Sequence, residues 1–585
     1  MLKSNKWRDL SRLRFYLGQH RSRLAAGFAC VFITNIFLLA TPLVTGYAVD
    51  SLRESVTREK LASYAAVIIG LALCEGLFRF FMRRLIIGVS RQAEYAIRND
   101  LFTHLETLPV SFFQKNKTGD LMSRVTNDLS NVRMLFGPGV MYTANTVIVA
   151  VFAVLLMLRI NWQLTLLALL PLPLVSLSVR HFGKRIHDLT EESQGKLADL
   201  SARVQESMAG IRVVKAFVQE KHEIAEFERM NRGLVEKNRE LIRAQSVFYP
   251  TMELMIGFAV VVVIWAGGRQ VISGAISLGD FVAFNMYLGR LSWPMIALGW
   301  VVNLLERGRA SMQRLNYILD TVPEVKDESV TVSNFEVQGG IEFRNLNFAY
   351  NGTQTLRNVS LTIPKGKTIA IVGATGSGKS TLVQLIPRLY NAPPESLFVD
   401  GVPIERIPLA TLRKAIGFIP QDTFLFGETI RENIAFGVES ATDAEIQRAA
   451  DISNIDADVQ EFPQKYDTLV GERGITLSGG QKQRTAISRA VIRDPKILIL
   501  DDALSSVDTY TEEQILRQLK QVMRNRTSIL ISHRVSTVKE ADEIIVLDAG
   551  QIVERGTHAE LLRQDGYYAE LHRKQLLEEE LAVSE

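Results

Sequence analysis

Six long apolar stretches in the first 305 residues restrict the possible folds of this chain more than any other feature of its sequence. A helix needs about 20 mostly apolar residues to cross the hydrocarbon layer of a membrane. The six stretches lie at about residues 24–50, 62–87, 135–158, 163–180, 249–272 and 282–305. They predict an all-α transmembrane domain with six spans, and they exclude a wholly soluble protein.

The basic residues around these stretches predict the orientation of the chain. Arg21 and Arg23 directly precede the first stretch, and further basic residues open two long, charged connections at about 88–134 and 181–248. Loops rich in Lys and Arg stay on the cytoplasmic side of a membrane, so we expect both termini there. A cleaved signal peptide is the alternative for the first stretch, but that stretch is too long and five more follow it.

The formal net charge of +4 conceals two halves of opposite charge. Residues 1–330 contain 39 Lys and Arg against 28 Asp and Glu, whereas residues 331–585 contain 28 against 35. Because the apolar stretches all lie in the first half, we predict a transmembrane domain at 1–325, a linker at 326–340 and a different domain at 341–585. Two cysteines in apolar runs exclude a disulfide scaffold and a zinc framework.

A glycine-rich loop in the second half carries the strongest chemical signal. It follows an apolar strand at 369–372 and precedes a helix pattern, which is the context that a phosphate-binding loop requires. Its glycines let backbone N–H groups surround phosphates, its lysine reaches the β- and γ-phosphates, and its serine ligates Mg²⁺. The residues concerned are Gly373, Thr375, Gly376, Ser377, Gly378, Lys379, Ser380 and Thr381.

Three further motifs follow in the same half. The strand pattern at 496–500 ends in Asp501 and Asp502, and an acid at such a strand end holds Mg²⁺ opposite a phosphate loop. The sequence Leu-Ser-Gly-Gly-Gln at 477–481 opens a helix, and the strand pattern at 529–531 leads to His533. Together these motifs predict nucleotide chemistry at the ends of several strands.

In this order, the motifs resemble those of ABC-transporter ATPases, and with the six preceding spans the whole chain resembles a bacterial multidrug-type ABC exporter half-transporter. The resemblance implies a six-helix transmembrane domain fused to an α/β P-loop ATPase domain of the ABC type. It also implies ATP and Mg²⁺ as cofactors, a multi-pass location in the bacterial inner membrane, and no nucleic-acid partner.

The resemblance assigns roles to residues outside the phosphate loop. Tyr350 matches the aromatic residue that stacks on adenine, although a strand tyrosine can also be a packing residue. Gln421 matches the glutamine that senses Mg²⁺ and the γ-phosphate, and His533 matches the histidine that contacts the γ-phosphate. Ser478, Gly480 and Gln481 match the signature motif that clamps ATP held by the opposite subunit, so that two chains are needed for each site.

Asp502 departs from the family pattern. The family usually has glutamate there, as the base that polarises the attacking water, and aspartate is shorter by one C–C bond of about 1.5 Å. A displacement near 1 Å can cost about a hundredfold in rate, so we expect slow hydrolysis at the site built on this chain's phosphate loop. We therefore favour a heterodimer with a second half-transporter that carries glutamate, and a slow homodimer is the alternative.

The expected function is ATP-driven export of amphipathic, drug-like or lipid-like compounds by alternating access. A homodimeric lipid flippase and an ATP-gated channel or regulatory subunit are the alternatives. Charged residues inside the apolar stretches could line the path of such a compound or form structural pairs. Glu75 and Arg79 lie four residues apart, on one helix face, while Glu253 and Arg290 lie in the fifth and sixth stretches.

Overall fold

The computed structural model describes residues 11–170, 172–327, 332, 335–471, 474 and 476–584, and the chain folds into two compact units. The first unit comprises the residues up to Leu105 together with Gly119–Asp320. The second comprises Glu106–Thr118 together with the residues from Thr321 onward. Part of the predicted linker, at 328–331 and 333–334, lies outside the described residues.

Up to Asp320 the described chain is helical. Two short π-helical turns, Arg124–Asp128 and Leu135–Gly139, interrupt the α-helices. The α-helices are α1 Leu13–Gly18, α2 Arg21–Glu54, α3 Arg58–Thr107, α4 Val110–Lys115, α5 Thr118–Ser123, α6 Leu129–Met134, α7 Val140–Ile160, α8 Trp162–Leu169, α9 Leu172–Ala209, α10 Ile211–Ala216, α11 Glu220–Ile272 and α12 Leu278–Asp320.

The two longest helices extend far beyond the thickness of a membrane. Helices α3 and α11 contain 50 and 53 residues. At 1.5 Å per residue each is about 75–80 Å long, against about 30 Å of hydrocarbon. The polar part of α11 packs on α9, where Lys237 pairs with Glu192 at 2.9 Å and Ser193 donates to Asn238 at 2.7 Å.

The predicted spans fall on these helices as follows. Stretches one, two, five and six lie within α2, α3, α11 and α12, and the third covers the second π turn and α7. The fourth is divided between α8 and α9, and residue 171 between them lies outside the described residues. Among the described residues, four helical segments are long and apolar enough to cross a membrane: Arg21–Glu54, Arg58–Thr107, Thr118–Ile160 and Glu220–Ile272. The number of six spans stays a prediction.

Buried charges in the first unit are paired. Asp128, in the first π turn, is 6% exposed and accepts two hydrogen bonds from Arg314 and one from Ser311, both on α12. A buried carboxylate is tolerated only with such partners, so these bonds fix the π turn on α12. Glu75 and Arg79 form an ion pair along one face of α3, as their four-residue spacing allows.

The second unit is built on two sheets. An antiparallel sheet of order β2-β1-β4-β5 contains β1 Ile341–Tyr350, β2 Thr353–Ile363, β4 Leu397–Val399 and β5 Val402–Pro403. A six-stranded sheet of order β10-β9-β3-β8-β7-β6 contains β3 Thr368–Val372, β6 Ile416–Ile419, β7 Ile497–Asp501, β8 Thr527–Ile531, β9 Glu543–Asp548 and β10 Gln551–Gly556. Its strands are parallel except β10, and β7 and β8 are buried throughout, as expected for a parallel sheet covered on both faces.

The second unit also contains α-helices. They are α13 Lys379–Gln384, α14 Leu409–Lys414, α15 Ile430–Ala435, α16 Asp443–Ile452, α17 Asp456–Glu461, α18 Gly479–Val491, α19 Thr509–Met523, α20 Val535–Val538, α21 His558–Gln564 and α22 Tyr567–Ser584. Two 3₁₀ turns, Ile404–Arg406 and Lys465–Asp467, lie between them. Helix α4 also belongs to this unit, where Ser111 donates to Glu324 at 3.3 Å.

Candidate active site

Four adjacent strands of the six-stranded sheet carry the predicted motifs at one edge. In the order β3-β8-β7-β6, they lead into the phosphate loop, His533, the pair Asp501 and Asp502, and Gln421. The carboxyl ends of parallel neighbours meet at the same edge, which is where open α/β sheets bind ligands. Residues more than 150 positions apart in the sequence are thus brought together.

Glycines of the phosphate loop adopt backbone conformations that other residues avoid. Gly373, Gly376 and Gly378 have φ values of +148°, +83° and +101°. A Cβ atom on Gly373 would lie 2.1 Å from the carbonyl oxygen of Leu547, and one on Gly378 would lie 2.9 Å from a methyl carbon of Leu356. The loop therefore needs glycine at 373 for space as well as for conformation, and glycine at 378 chiefly for conformation.

The phosphate-loop lysine is held inside its own loop. Lys379 is 7% exposed, and its Nζ donates to the carbonyl oxygens of Gly373 at 2.9 Å and Ala374 at 2.8 Å. Burial lowers the pKa of Lys379, and the negative charges of Asp501 and Asp502 oppose that shift. An anion beside this ammonium group would relieve its desolvation.

Asp501 and Ser380 form the expected site for a cation. The hydroxyl of Ser380 donates to Asp501 Oδ1 at 3.0 Å, and Asp501 is 1% exposed. Burial raises the pKa of Asp501, partly offset by the bond from Ser380. Among the described residues, Asp501 Oδ2 and Ser377 Oγ are buried without a hydrogen-bond partner. An unpaired buried carboxylate oxygen next to a serine hydroxyl fits Mg²⁺, which prefers oxygen ligands.

A cleft at this edge contains most of the predicted site residues. Gly373 and Ser377 belong to the loop but do not line the cleft. Thr355 on β2 and Ile531 on β8 also line the cleft, and they were not predicted from the sequence. A signal for Thr355 is the hairpin of β1 and β2, because it brings the chain back alongside Tyr350. The lining consists of Thr355, Thr375, Gly376, Gly378, Lys379, Ser380, Thr381, Gln421, Asp501, Asp502, Ile531 and His533.

Tyr350 lies beside the phosphate loop in an aromatic cluster. Its ring contacts Phe348 and Tyr390 edge to face, with centroids 5.0 and 5.1 Å apart. Burial raises the pKa of this phenol. Tyr350 thus packs against the hydrophobic core of the unit, while its contact with adenine stays a prediction.

Asp502 has an unusual backbone conformation. Its φ is +50°, in the left-handed region, and its N–H donates to the carbonyl oxygen of Ile531 at 2.9 Å. Aspartate tolerates this region better than most residues because its short polar side chain can bond locally. The conformation places Asp502 in the cleft beside Asp501.

The signature residues lie at the start of α18 and do not line this cleft. Ser478 is the N-cap of α18, where its Oγ accepts from the N–H of Gln481 and the Gln481 side chain accepts from the N–H of Ser478. The Gln481 amide also donates to Asp458 at 2.8 Å. Two residues further on, Gln483 is hydrogen-bonded to Ser505 and Ser506, in the loop that follows β7.

Comparison with known proteins decides the family. Residues 24–295 match the model of the ABC transporter transmembrane region, and residues 356–505 match that of the ABC transporter. A probable multidrug resistance ABC transporter ATP-binding/permease protein of Bacillus subtilis is 36% identical over 572 residues, covering 97% of this chain and 98% of its own. The chain belongs to the ABC transporter family.

Other similar proteins belong to the same family. The multidrug resistance-like ATP-binding protein MdlA of Escherichia coli is 37% identical, covering 98% of this chain and 97% of its own. An ATP-dependent lipid A-core flippase of Syntrophus aciditrophicus is 35% identical, covering 96% and 94%. A solved bacterial Atm1-family ABC exporter with ATP bound matches with a TM-score of 0.78 and 29% identity, covering 95% of this chain and 98% of that one. The chain therefore has the ABC exporter fold, as a half-transporter with fused membrane and ATPase domains.

A second cavity of this ABC exporter lies within the first unit, between α2, α3, α7 and α12. Three arginines contribute to it, of which Arg79 is paired with Glu75. Within the described part of the chain, Arg83 and Arg290 have no acidic partner within 4.0 Å. The lining consists of Leu38, Arg79, Met82, Arg83, Met141, Tyr142, Asn145, Val149, Arg290 and Pro294.

Proposed function

We propose that this chain is one half of an ATP-driven exporter in the bacterial inner membrane, with both termini in the cytoplasm. The observation that carries the proposal is the cleft at the sheet edge, which gathers Lys379, Asp501 and His533 in a chain whose other unit is built of membrane-length helices. The Atm1-family match supports it as well, because that exporter was solved with ATP bound.

Each cleft residue has a separate task in this proposal. The ammonium group of Lys379 exchanges its two carbonyl partners for phosphate oxygens, and the loop N–H groups surround the remaining phosphates. Ser380, Asp501 and Gln421 hold Mg²⁺, which neutralises phosphate charge when it is bound. His533 contacts the terminal phosphate, and Asp502 orients the water that attacks it.

Asp502 supports a heterodimer in which this chain's own phosphate loop serves the slower of two sites. Its side chain is one methylene shorter than the glutamate usual in the family, so the carboxylate falls short of the attacking water. Ser478 and Gly480 do not line this chain's own cleft, and in the proposal they complete the site of a partner chain that carries glutamate. A homodimer that turns over slowly is the competing arrangement.

The arginine-lined cavity supports a lipid-like cargo with an acidic headgroup. Arg79, Arg83 and Arg290 bring three positive charges against the single negative charge of Glu75. Charges at membrane depth are costly unless they face a polar partner or ligand. Among the amphipathic compounds expected from the sequence, acidic lipids match this cavity better than cationic drugs do.

Transport into inside-out vesicles tests the proposal. The full transporter should accumulate a fluorescent acidic lipid in the presence of ATP and Mg²⁺, and a zwitterionic lipid of the same chain length should accumulate more slowly. Arg290→Gln should remove that preference, while Arg159→Gln, on α7 but outside the cavity lining, is the control. An ATP-gated ionic conductance without uphill accumulation would refute the exporter.

A further inference from the structure

The C-terminal helix contacts the catalytic histidine's loop through one side chain. Gln575 lies in α22, and its amide Nε2 donates to the carbonyl oxygen of His533 at 2.5 Å. Its Oε1 accepts from the N–H of Val535 at 2.8 Å. The one side-chain amide thus bonds two backbone groups, a carbonyl before Arg534 and an N–H after it. Both groups lie between the end of β8 and the start of α20.

The position of His533 depends on this backbone. His533 is exposed, and among the described residues its imidazole has no hydrogen-bond partner. Among the described residues no side-chain hydrogen bond fixes the ring, so the course of the chain from Ser532 to Val535 is a main determinant of where it lies. Backbone groups of a loop need partners outside regular structure, and Gln575 supplies two of them.

A second contact holds the same loop from the other side. Glu512 on α19 is 3% exposed and accepts from Arg534, and it also accepts from the hydroxyl of Thr537 at 2.5 Å. This buried carboxylate fixes the residues after His533 to α19. Gln575 holds the same loop from a different helix, α22, which follows the last strand of the unit.

The beginning of α22 is itself firmly attached. Tyr568 is fully buried, and its hydroxyl lies 2.7 Å from Nδ1 of His558. The N–H groups of Tyr567 and Tyr568 both donate to the carboxylate of Glu554 on β10. Gln575 follows two turns later, so its amide reaches the loop from an anchored helix. A functional side chain keeps its position when the residues that support it are themselves held in place.

We propose that Gln575 is a positioning residue for His533, and that α22 in this way sets the rate of ATP hydrolysis at this chain's site. The inference rests on the proposed function, in which His533 contacts the terminal phosphate. The side chain of Gln575 acts through the backbone of the loop and does not touch nucleotide.

Single-turnover hydrolysis of ATP by the full transporter, with protein in excess, tests this role in its slow phase, which in the proposed heterodimer belongs to this chain's site. Gln575→Ala should lower the hydrolysis rate on the order of tenfold, below the hundredfold that a displacement near 1 Å can cost, and leave ATP affinity unchanged. Gln575→Glu should also slow hydrolysis, because a carboxylate cannot donate to the carbonyl of His533. Lys574→Ala, at the neighbouring position of α22, is the control and should keep the wild-type rate.

The double variant separates positioning from a general loss of structure. If Gln575 acts through His533, then His533→Ala with Gln575→Ala should be no slower than His533→Ala alone. Losses that multiply, or a loss of ATP affinity with an unchanged rate, would refute the inference while leaving the proposed function intact. If His533→Ala itself has no effect on hydrolysis, the role of His533 in the proposed function fails together with this inference.

Discussion

At the position of Asp502, backbone conformation and catalysis favour different side chains. The φ of +50° suits aspartate, whereas the longer glutamate has the reach that the family uses for its base. We predict that Asp502→Glu raises hydrolysis at this chain's site at least tenfold, because the carboxylate moves about 1.5 Å further into the cleft. An L-residue in the left-handed region carries a strain of about 1–2 kcal/mol, so we expect the substitution to lower the stability by no more than that. Single-turnover hydrolysis and thermal unfolding measure the two effects.

Asp502→Asn is the matched control for this change, because it keeps the size of the side chain and removes its charge. It should lower the remaining hydrolysis and leave ATP binding in place. If Asp502→Glu leaves the rate unchanged, the short carboxylate is not what makes the site slow, and the argument for a heterodimer loses its main support.

Two glycines of the phosphate loop separate conformational strain from steric clash. Both Gly373 and Gly376 have positive φ, but a Cβ atom would meet Leu547 at 2.1 Å in the first case and nothing within 4 Å in the second. We predict that Gly373→Ala abolishes ATP binding, since the loop must move to accept a methyl group. Gly376→Ala should cost about 1–2 kcal/mol of strain and weaken binding only modestly. Titration with a fluorescent ATP analogue distinguishes the two, and equal losses would contradict the steric argument.

At the scale of the element, the same N-terminal motif begins four described helices of the ATPase unit, among them α16 and α18. Ser478 caps α18 and Thr442 caps α16, and each forms a capping box with the residue three positions later. Replacing either with alanine removes a cap worth about 1 kcal/mol. We predict that Ser478→Ala and Thr442→Ala lower the unfolding temperature similarly, and that Ser478→Ala alone strongly lowers ATP turnover of the assembled transporter. Equal turnover in both variants would mean that Ser478 is only a cap.

The sequence patterns predicted the helices, strands and motifs more completely than they predicted the contacts between them. Lys379, Asp501 and His533 each follow an apolar strand in a recognisable motif, so the site could be predicted without knowing the strand order. Gln575 carries no such signal, because a glutamine on a C-terminal helix looks like any solvated residue until the fold brings it to a loop 42 positions earlier. Such a contact depends on how separate elements pack.

The arginine-lined cavity shows the same limit at the scale of the whole molecule. Glu75 and Arg79 are four residues apart on one helix, and their pairing follows from helix geometry alone. Arg290 reaches the same cavity from α12, more than 200 positions away. The helix period predicts neighbours one turn apart, whereas the arrangement of α3 and α12 around one cavity depends on side chains throughout the unit. The sequence therefore left open whether these charged residues line a common path or form structural pairs, and it could not say which of them meet.

A composite arrangement of sites predicts unequal effects for two residues of this chain. In a heterodimer, Lys379 serves the slow site, while Ser478 completes the fast site on the partner. We predict that Ser478→Ala removes most of the ATP turnover of the assembled transporter and that Lys379→Ala lowers it by a clearly smaller factor. In a homodimer, every site contains both residues, so the two variants should lose turnover alike. Steady-state ATPase of the purified transporter decides between them, and rapid turnover by this chain expressed alone would also contradict the heterodimer.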